Sequence, residues 1–508
     1  MKKRKILTGL ALVALLLTSC GSKDQPAKKS AKEGTSEEMT RPLRVAMSTE
    51  IDSLDAFKIA AGDSKTVMDQ VYDGLFDVGE DGSLVGDLCE SYEVSEDGLV
   101  YDFKLKKDVK FHDGSDFTAE DVYYTYDKLA GLSSKDASNS KFAGIKDIEI
   151  VNDHEIKMAL KERDNSFLFL NTHPIVKKDY TDNGTFPIGT GPFKFVSYLP
   201  GEGLKLTRND DYHNKDHIAK FKDVEIIRVA DRQALVMALN NKDVDFAGLD
   251  ADSLDEVKDS CEVYSSSQNL VQVMGLNNKV KPFDDIRVRQ AINYAIDKDD
   301  IINTVSAGKA KKLSSSFSPA LAEYYNDLED PYPYNPDLAK KLLEEAGYKD
   351  GFDLKLTVPS DYKYHVDTAE LISDQLKKVG INITIDPIEF STWLTRVYKD
   401  RDYEATIVGF IGYIDPIRIL DRYESTSEKD YINYVSDEYD GAIRAAKSAK
   451  DKESLIENVK KAQEIIAKDA ASVFIADPDN NQVLNNDLDG VKSYPVQKWN
   501  LEDIGMKK

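Results

Sequence analysis

Few side chains in this sequence have the type and spacing that chemistry requires. His213 and His217 are spaced i, i+4 and could share a metal ion on a helix. The run Asp210-Asp211-Tyr212-His213-Asn214-Lys215-Asp216-His217, however, reads as a polar loop, and no metal is expected there. The chain carries no Gly-rich phosphate loop ending in Lys-Ser/Thr, no His-Glu-x-x-His zinc helix and no Gly-x-Ser-x-Gly nucleophile elbow. No catalytic residue and no cofactor are expected. Besides Cys20 the thiols are Cys89 and Cys261, far apart and beside apolar, strand-like sequence. They read as buried free thiols, with a long-range disulfide as the alternative. Asp284-Asp285 is a helix start, where negative charge complements the dipole. Asp415 stands directly before Pro416, a position suited to a turn former.

The elements around these residues follow from periodicity and caps. Leu43–Met47 reads as a first strand, followed by short β-rich segments to about Leu105, a helix over Ala119–Leu129 and a hairpin over Ile145–Leu160. From Phe352 onward the pattern is strand, helix, strand, helix, strand. Leu354–Val358 is strand-like, and Ala369, Ile372, Leu376 and Val379 mark a helical face that Gly380 ends. Ile381–Ile385 is the next strand, Ser391–Val397 a short helix and Ala405–Phe410 the third strand. Such crossovers predict a parallel sheet. Upstream, Asn335 caps a helix with Pro336 at its first position and Gly347 past its end, and a second amphipathic stretch runs from Asp284 to Ile296.

The amino terminus has the layout of a secretory signal peptide, with Lys2, Lys3, Arg4 and Lys5 before the apolar run Ile6–Leu17. That run is shorter than the ~20 residues a membrane-spanning helix needs. Leu17-Thr18-Ser19-Cys20 resembles a bacterial lipobox, which implies that Cys20 is lipidated. Residues 21–40 are polar and read as a flexible tether. Removing a leader with four positive and no negative side chains takes the formal charge from −24 to −28. A body this acidic repels nucleic acid and anionic lipid. Its length is too great for one core and implies two or three lobes.

Six stretches then occur in order. They are Tyr72-Asp73-Gly74-Leu75, Glu90–Gly98 (ESYEVSEDG), Phe111–Val122 (FHDGSDFTAEDV), Gly189-Thr190-Gly191-Pro192-Phe193, Asp285–Asp297 (DIRVRQAINYAID) and Asn335–Tyr348 (NPDLAKKLLEEAGY). Locally they are structural signals. Asp113-Gly114 is a turn, Thr118 is an N-cap with Asp121 at its third helical position, and Gly191-Pro192 turns tightly into a strand. Together they resemble the family 5 solute-binding proteins, the peptide, dipeptide and nickel binders of ABC importers.

The resemblance implies an α/β, two-lobed periplasmic-binding-protein-like fold with a hinge and an inserted subdomain. A signal peptide covers 1–19 and the lipidated tether 20–40. Lobe I takes 41–75, 185–275 and 480–508, the inserted subdomain 76–184, and lobe II 276–479. The expected function is capture of small peptides between closing lobes by a monomer that hands them to a permease and ATPase complex. The protein would be extracytoplasmic, anchored by lipid at the cell surface or in the periplasm. In peptide binders of this family an aspartate after a Gly-Trp pair receives the ligand ammonium. The matching stretch here, Gly409–Pro416, is one residue shorter before the proline and has Gly412 or Tyr413 in that place, leaving Asp415 either as the available carboxylate or as the turn former before the proline, with Phe410 and Tyr413 as walls of the implied cleft. Glu50, Ile51 and Asp52 resemble the segment that lines the cleft from the first lobe. Tyr362, Lys363 and His365 correspond to a loop that supplies a cation for the ligand carboxylate. The altered Gly409–Pro416 stretch leaves a nickel-metallophore chelate or another small organic solute as the alternative ligand. A surface hydrolase or peptide chaperone is the alternative from another class.

Overall fold

The computed structural model describes residues 41–507 except Gly412; the expected leader, Cys20 and the tether lie outside the described residues. Among the described residues no helix is long and apolar enough to cross a membrane.

Leu43–Met47 is a central strand, with Leu43 and Val45 fully buried, and it runs parallel to both Asp223–Arg228 and Phe246–Gly248. The sheet built on it continues through Gly203–Arg208 to Phe193–Leu199 on one side, and through Ala476–Asn485 to Cys261–Ser267 on the other. A second, five-stranded sheet has the order Ile381–Ile388, Phe352–Pro359, Ala405–Ile411, Leu270–Leu276, Ser472–Phe474. Its first three strands are parallel, as the crossovers predict. The sheet as a whole is mixed, because Leu270–Leu276 enters from the other sheet and pairs antiparallel with both neighbours. A four-stranded antiparallel sheet, Cys89–Val94, Val100–Leu105, Glu155–Leu160 and Ile145–Asn152, has its own apolar core under the helix Ala119–Ala130. Thr118 and Asp121 close a capping box at the start of that helix. Cys89 and Cys261 are free and buried.

Other elements depart from the sequence reading. The helix after Phe352–Pro359 begins at Lys363, because His365 extends the buried stripe of Ala369, Ile372 and Leu376 by one turn. Beyond Phe390–Trp393 the expected short helix continues as a π-helical turn, Leu394–Lys399. Gly189 and Gly191 are required by close approach, since a Cβ at either would meet the Val71 backbone at 2.0 and 2.7 Å.

The chain passes between the two large sheets at residues 267–270 and again at 474–476. The crossings are stitched together. Gln268 N donates to Pro478 O at 3.2 Å, Leu270 N donates to Asp477 Oδ1 at 3.0 Å, and the Ser318 hydroxyl donates to Asp477 Oδ2. Asp477 is fully buried, and burial pushes its carboxyl up to about 6. Its unfolded value is near 3.9. The folded protein therefore holds this proton over a window where the unfolded chain has lost it, and that stabilisation disappears as pH rises through about 6. Asp477→Asn keeps an acceptor for Leu270 and removes the charge. Relative to wild type it is expected to gain about 2 kcal/mol at pH 8 and little at pH 4. Urea midpoints at the two pH values check this, and an equal shift at both would discard the linkage.

Candidate functional site

Two neighbouring cavities share Lys65, Thr172, Pro174 and Ile414 as wall residues. The first, of about 350 Å³, is lined by Phe57, Phe142 and His173 on one side and by Tyr413, Asp415 and Arg418 on the other. The second, of about 380 Å³, is lined by Asp69, Asp77 and Glu502 with Lys65, Lys498 and Trp499. Asp73 and Asp87 also face it, so its wall holds five carboxylates against two lysines.

Asp415 caps the helix Pro416–Leu420, accepting from Ile417 N at 3.0 Å and Arg418 N at 3.4 Å. Arg418 Nε lies 3.3 Å from its second oxygen, and Ser166 is a side-chain hydrogen-bond partner of the carboxyl group. Burial nevertheless outweighs these partners and pushes the Asp415 carboxyl up to about 6. A buried carboxylate in that condition is short of positive charge.

Tyr413 lines this cavity and also a small recess with Asn269, Ser316, Phe410 and Arg422. Arg422 is 5% exposed, and its guanidinium lies 3.8 Å over the Phe410 ring. Among the described residues it has no carboxylate partner; its Nε donates to Ile419 O at 3.2 Å. Nothing in Asp421-Arg422-Tyr423 marks this arginine as buried, since the aromatic ring beneath it comes from the strand Ala405–Ile411.

The other predicted binding residues lie elsewhere. Glu50 accepts from the Tyr198 hydroxyl and from Gly201 N at 3.1 Å, and the Tyr198 bond leads the effects that hold its carboxyl below the usual range. Ile51 is packed in the core of the large sheet. Asp52 accepts from Ala60 N at 2.8 Å and Ala61 N at 3.1 Å, ordering the approach to the helix Gly62–Met68. None of the three lines either cavity. Tyr362 immediately precedes the helix Lys363–Lys377, and Lys363 and His365 lie in its first turn. Tyr362 is exposed and packs edge-on to Phe390; Lys363 is exposed and paired with Asp367 in its own helix. His365 is buried beside Gln272, and burial pushes it down to about 4, which keeps it neutral. Gly412 lies outside the described residues. Phe410, Tyr413 and Asp415 are thus the predicted residues that the fold brings together.

His213 and His217 are also separated. His213 Nε2 is 3.3 Å from Asp73 Oδ2 and 3.4 Å from Asp87 Oδ1, whereas His217 Nδ1 is 2.9 Å from Asp503 Oδ1. The run expected to be a polar loop therefore buries one of its histidines; its charged neighbours are local in sequence, and its burying partners are not.

Two mixed sheets joined by paired crossings are the architecture of a two-lobed solute-binding protein. The chain belongs to the bacterial extracellular solute-binding proteins, family 5, whose model matches residues 83–431. It is similar to the oligopeptide-binding protein AppA of Bacillus subtilis, 27% identical over 98% of this chain and 99% of that protein. The structure of AppA in complex with a nonapeptide superposes with a TM-score of 0.73, covering 92% of this chain and 99% of the other. DppA from Helicobacter pylori in complex with the peptide STSA, 26% identical, gives 0.74 over 92% and 98%.

Proposed function

We propose that this chain is the substrate-binding component of an ABC importer and that it takes up short peptides with free termini. The observation that carries this reading is the pairing of an under-compensated buried carboxylate, Asp415, with a buried cation lacking a carboxylate partner, Arg422, on either side of Tyr413. A peptide ammonium and carboxylate would supply the missing charges, and an unpaired buried charge is costly. In this reading the segments 41–75, 185–275 and 480–508 form one lobe, 76–184 its inserted subdomain and 276–479 the other lobe. Ligand contacts to both halves favour the closed form. Lipidation at Cys20 and the tether to residue 40 hold a monomer at the outer face of the membrane, where it hands intact ligand to its permease.

Calorimetry with a short peptide and its amino-acetylated counterpart tests the ammonium assignment. Wild type is expected to favour the free amine by about tenfold or more, roughly 1.4 kcal/mol. Asp415→Asn, which still caps the helix, should abolish the preference. Pairing with ammonium requires the ionised carboxylate, so wild-type affinity should fall as pH drops below about 6. An unchanged preference in the variant would remove Asp415 from the site. Recovery of uncleaved peptide after prolonged incubation separates binding from hydrolysis.

A further inference from the structure

We infer that Asp73, Asp87 and His213 form a tetrahedral divalent-metal site of zinc type that ties the four-stranded sheet to the larger one. The side chains of Asp73 and His213 are each 4% exposed and that of Asp87 15%, and one ligand atom from each lies within 4.8 Å of the others. Among the described residues no lysine or arginine pairs with either carboxylate, so an imidazole alone faces two buried acids. The distances are informative. Charge-assisted N–H···O bonds are about 2.7 to 2.9 Å long, yet His213 Nε2 stands 3.3 and 3.4 Å from its two carboxylate oxygens. Bonds of about 2.0 to 2.2 Å to a tetrahedral zinc ion give ligand–ligand edges of about 3.3 to 3.6 Å.

The surroundings fit an ion as well. The Tyr212 hydroxyl is 3.5 Å from Asp73 Oδ1, placed to orient the carboxylate as an outer-shell partner does. The His213 ring lies against Tyr212, with centroids 4.5 Å apart, and its Nδ1 is buried without a hydrogen-bond partner. Asp73, Asp87 and Tyr212 all face the second cavity, which leaves the fourth position to a solvent molecule. The group at His217, Glu502 and Asp503 differs. There the histidine–carboxylate distance is an ordinary 2.9 Å, and Lys492 Nζ, 3.0 Å from the other Asp503 oxygen, already supplies a cation.

The three ligands come from separate parts of the chain. Asp73 follows the helix Gly62–Met68, Asp87 leads into the strand Cys89–Val94, and His213 lies between Gly203–Arg208 and Asp223–Arg228. A bound ion would fix the angle at which the four-stranded sheet stands on the larger one.

The test is titration of chelator-treated full chain with Co²⁺ and then Zn²⁺. One equivalent of Co²⁺ is expected to give the intense visible bands of tetrahedral coordination, and Zn²⁺ should abolish them. His213→Gln and Asp87→Asn should each weaken binding a hundredfold or more, and His217→Gln should leave it unchanged. Absence of the tetrahedral spectrum in wild type overturns the assignment. So does binding that survives both His213→Gln and Asp87→Asn, or that is lost with His217→Gln alone. Should either ligand variant fail to fold, a zinc anomalous peak about 2 Å from the three ligand atoms in wild-type crystals decides the matter; its absence there refutes the site.

Discussion

Arg422→Met is expected to weaken binding of a peptide with a free carboxyl terminus by about 2 to 4 kcal/mol, thirtyfold to roughly a thousandfold. Methionine replaces the guanidinium over Phe410 with a flexible apolar chain that still packs on the ring. The recess thus keeps its shape and loses its charge. Part of the loss is the cation itself, and part is the penalty of burying a ligand carboxylate with no partner. Calorimetry should therefore show that wild type distinguishes a peptide from its carboxyl-amidated form and that Arg422→Met does not. A variant that weakens both forms equally would point to packing alone. Loss of the cation–π attraction should lower stability by about 1 kcal/mol, which urea unfolding can measure separately.

Trp393→Ala is expected to destabilise the fold by about 3 to 5 kcal/mol. Trp393 is 1% exposed, stacks on Phe390 with an interplanar angle of 9°, and donates from Nε1 to Thr406 Oγ1 at 2.8 Å. Thr406 in turn donates to Thr357 O at 2.7 Å, so the indole ends a hydrogen-bonded chain that reaches a neighbouring strand. Trp393→Phe keeps most of the volume and should cost only about 1 to 2 kcal/mol, separating packing from the hydrogen bond. The effect should reach the binding recess too. Trp393 contacts Tyr431, whose ring is 5.3 Å from Phe410, the platform beneath Arg422. Urea unfolding followed by circular dichroism measures both variants; a loss below about 1 kcal/mol for alanine would mean that the surrounding aromatics close over the space.

What the sequence made legible was whatever is decided within a few residues. Thr118 with Asp121, and Asn335 with Pro336, announce their helices because capping is a contact between near neighbours. The parallel order of Phe352–Pro359, Ile381–Ile388 and Ala405–Ile411 follows from alternating periods. Long-range contacts hid the rest. His213 looks solvated among Asp210, Asp211 and Asp216, and only the fold reveals a carboxylate partner 140 residues away. Lys363 is the cation that the motif offers, yet its place on the exposed face of its helix pairs it with Asp367. Arg422, the cation proposed beside Tyr413, has no periodic cue at all. Asp415 was ambiguous in sequence because one carboxylate can cap a helix and face a cavity, and the structure places it in both positions.

The seam around Asp477 has a mechanical consequence. Two connecting strands joined laterally by hydrogen bonds behave as a single flexure: bending is soft, whereas sliding one half past the other would break the bonds at Leu270 and Ser318 together. Were the halves to move, these bonds would favour a swing about the seam over sliding. A transporter docking on both halves would read a single number, the angle, as its signal that cargo is aboard.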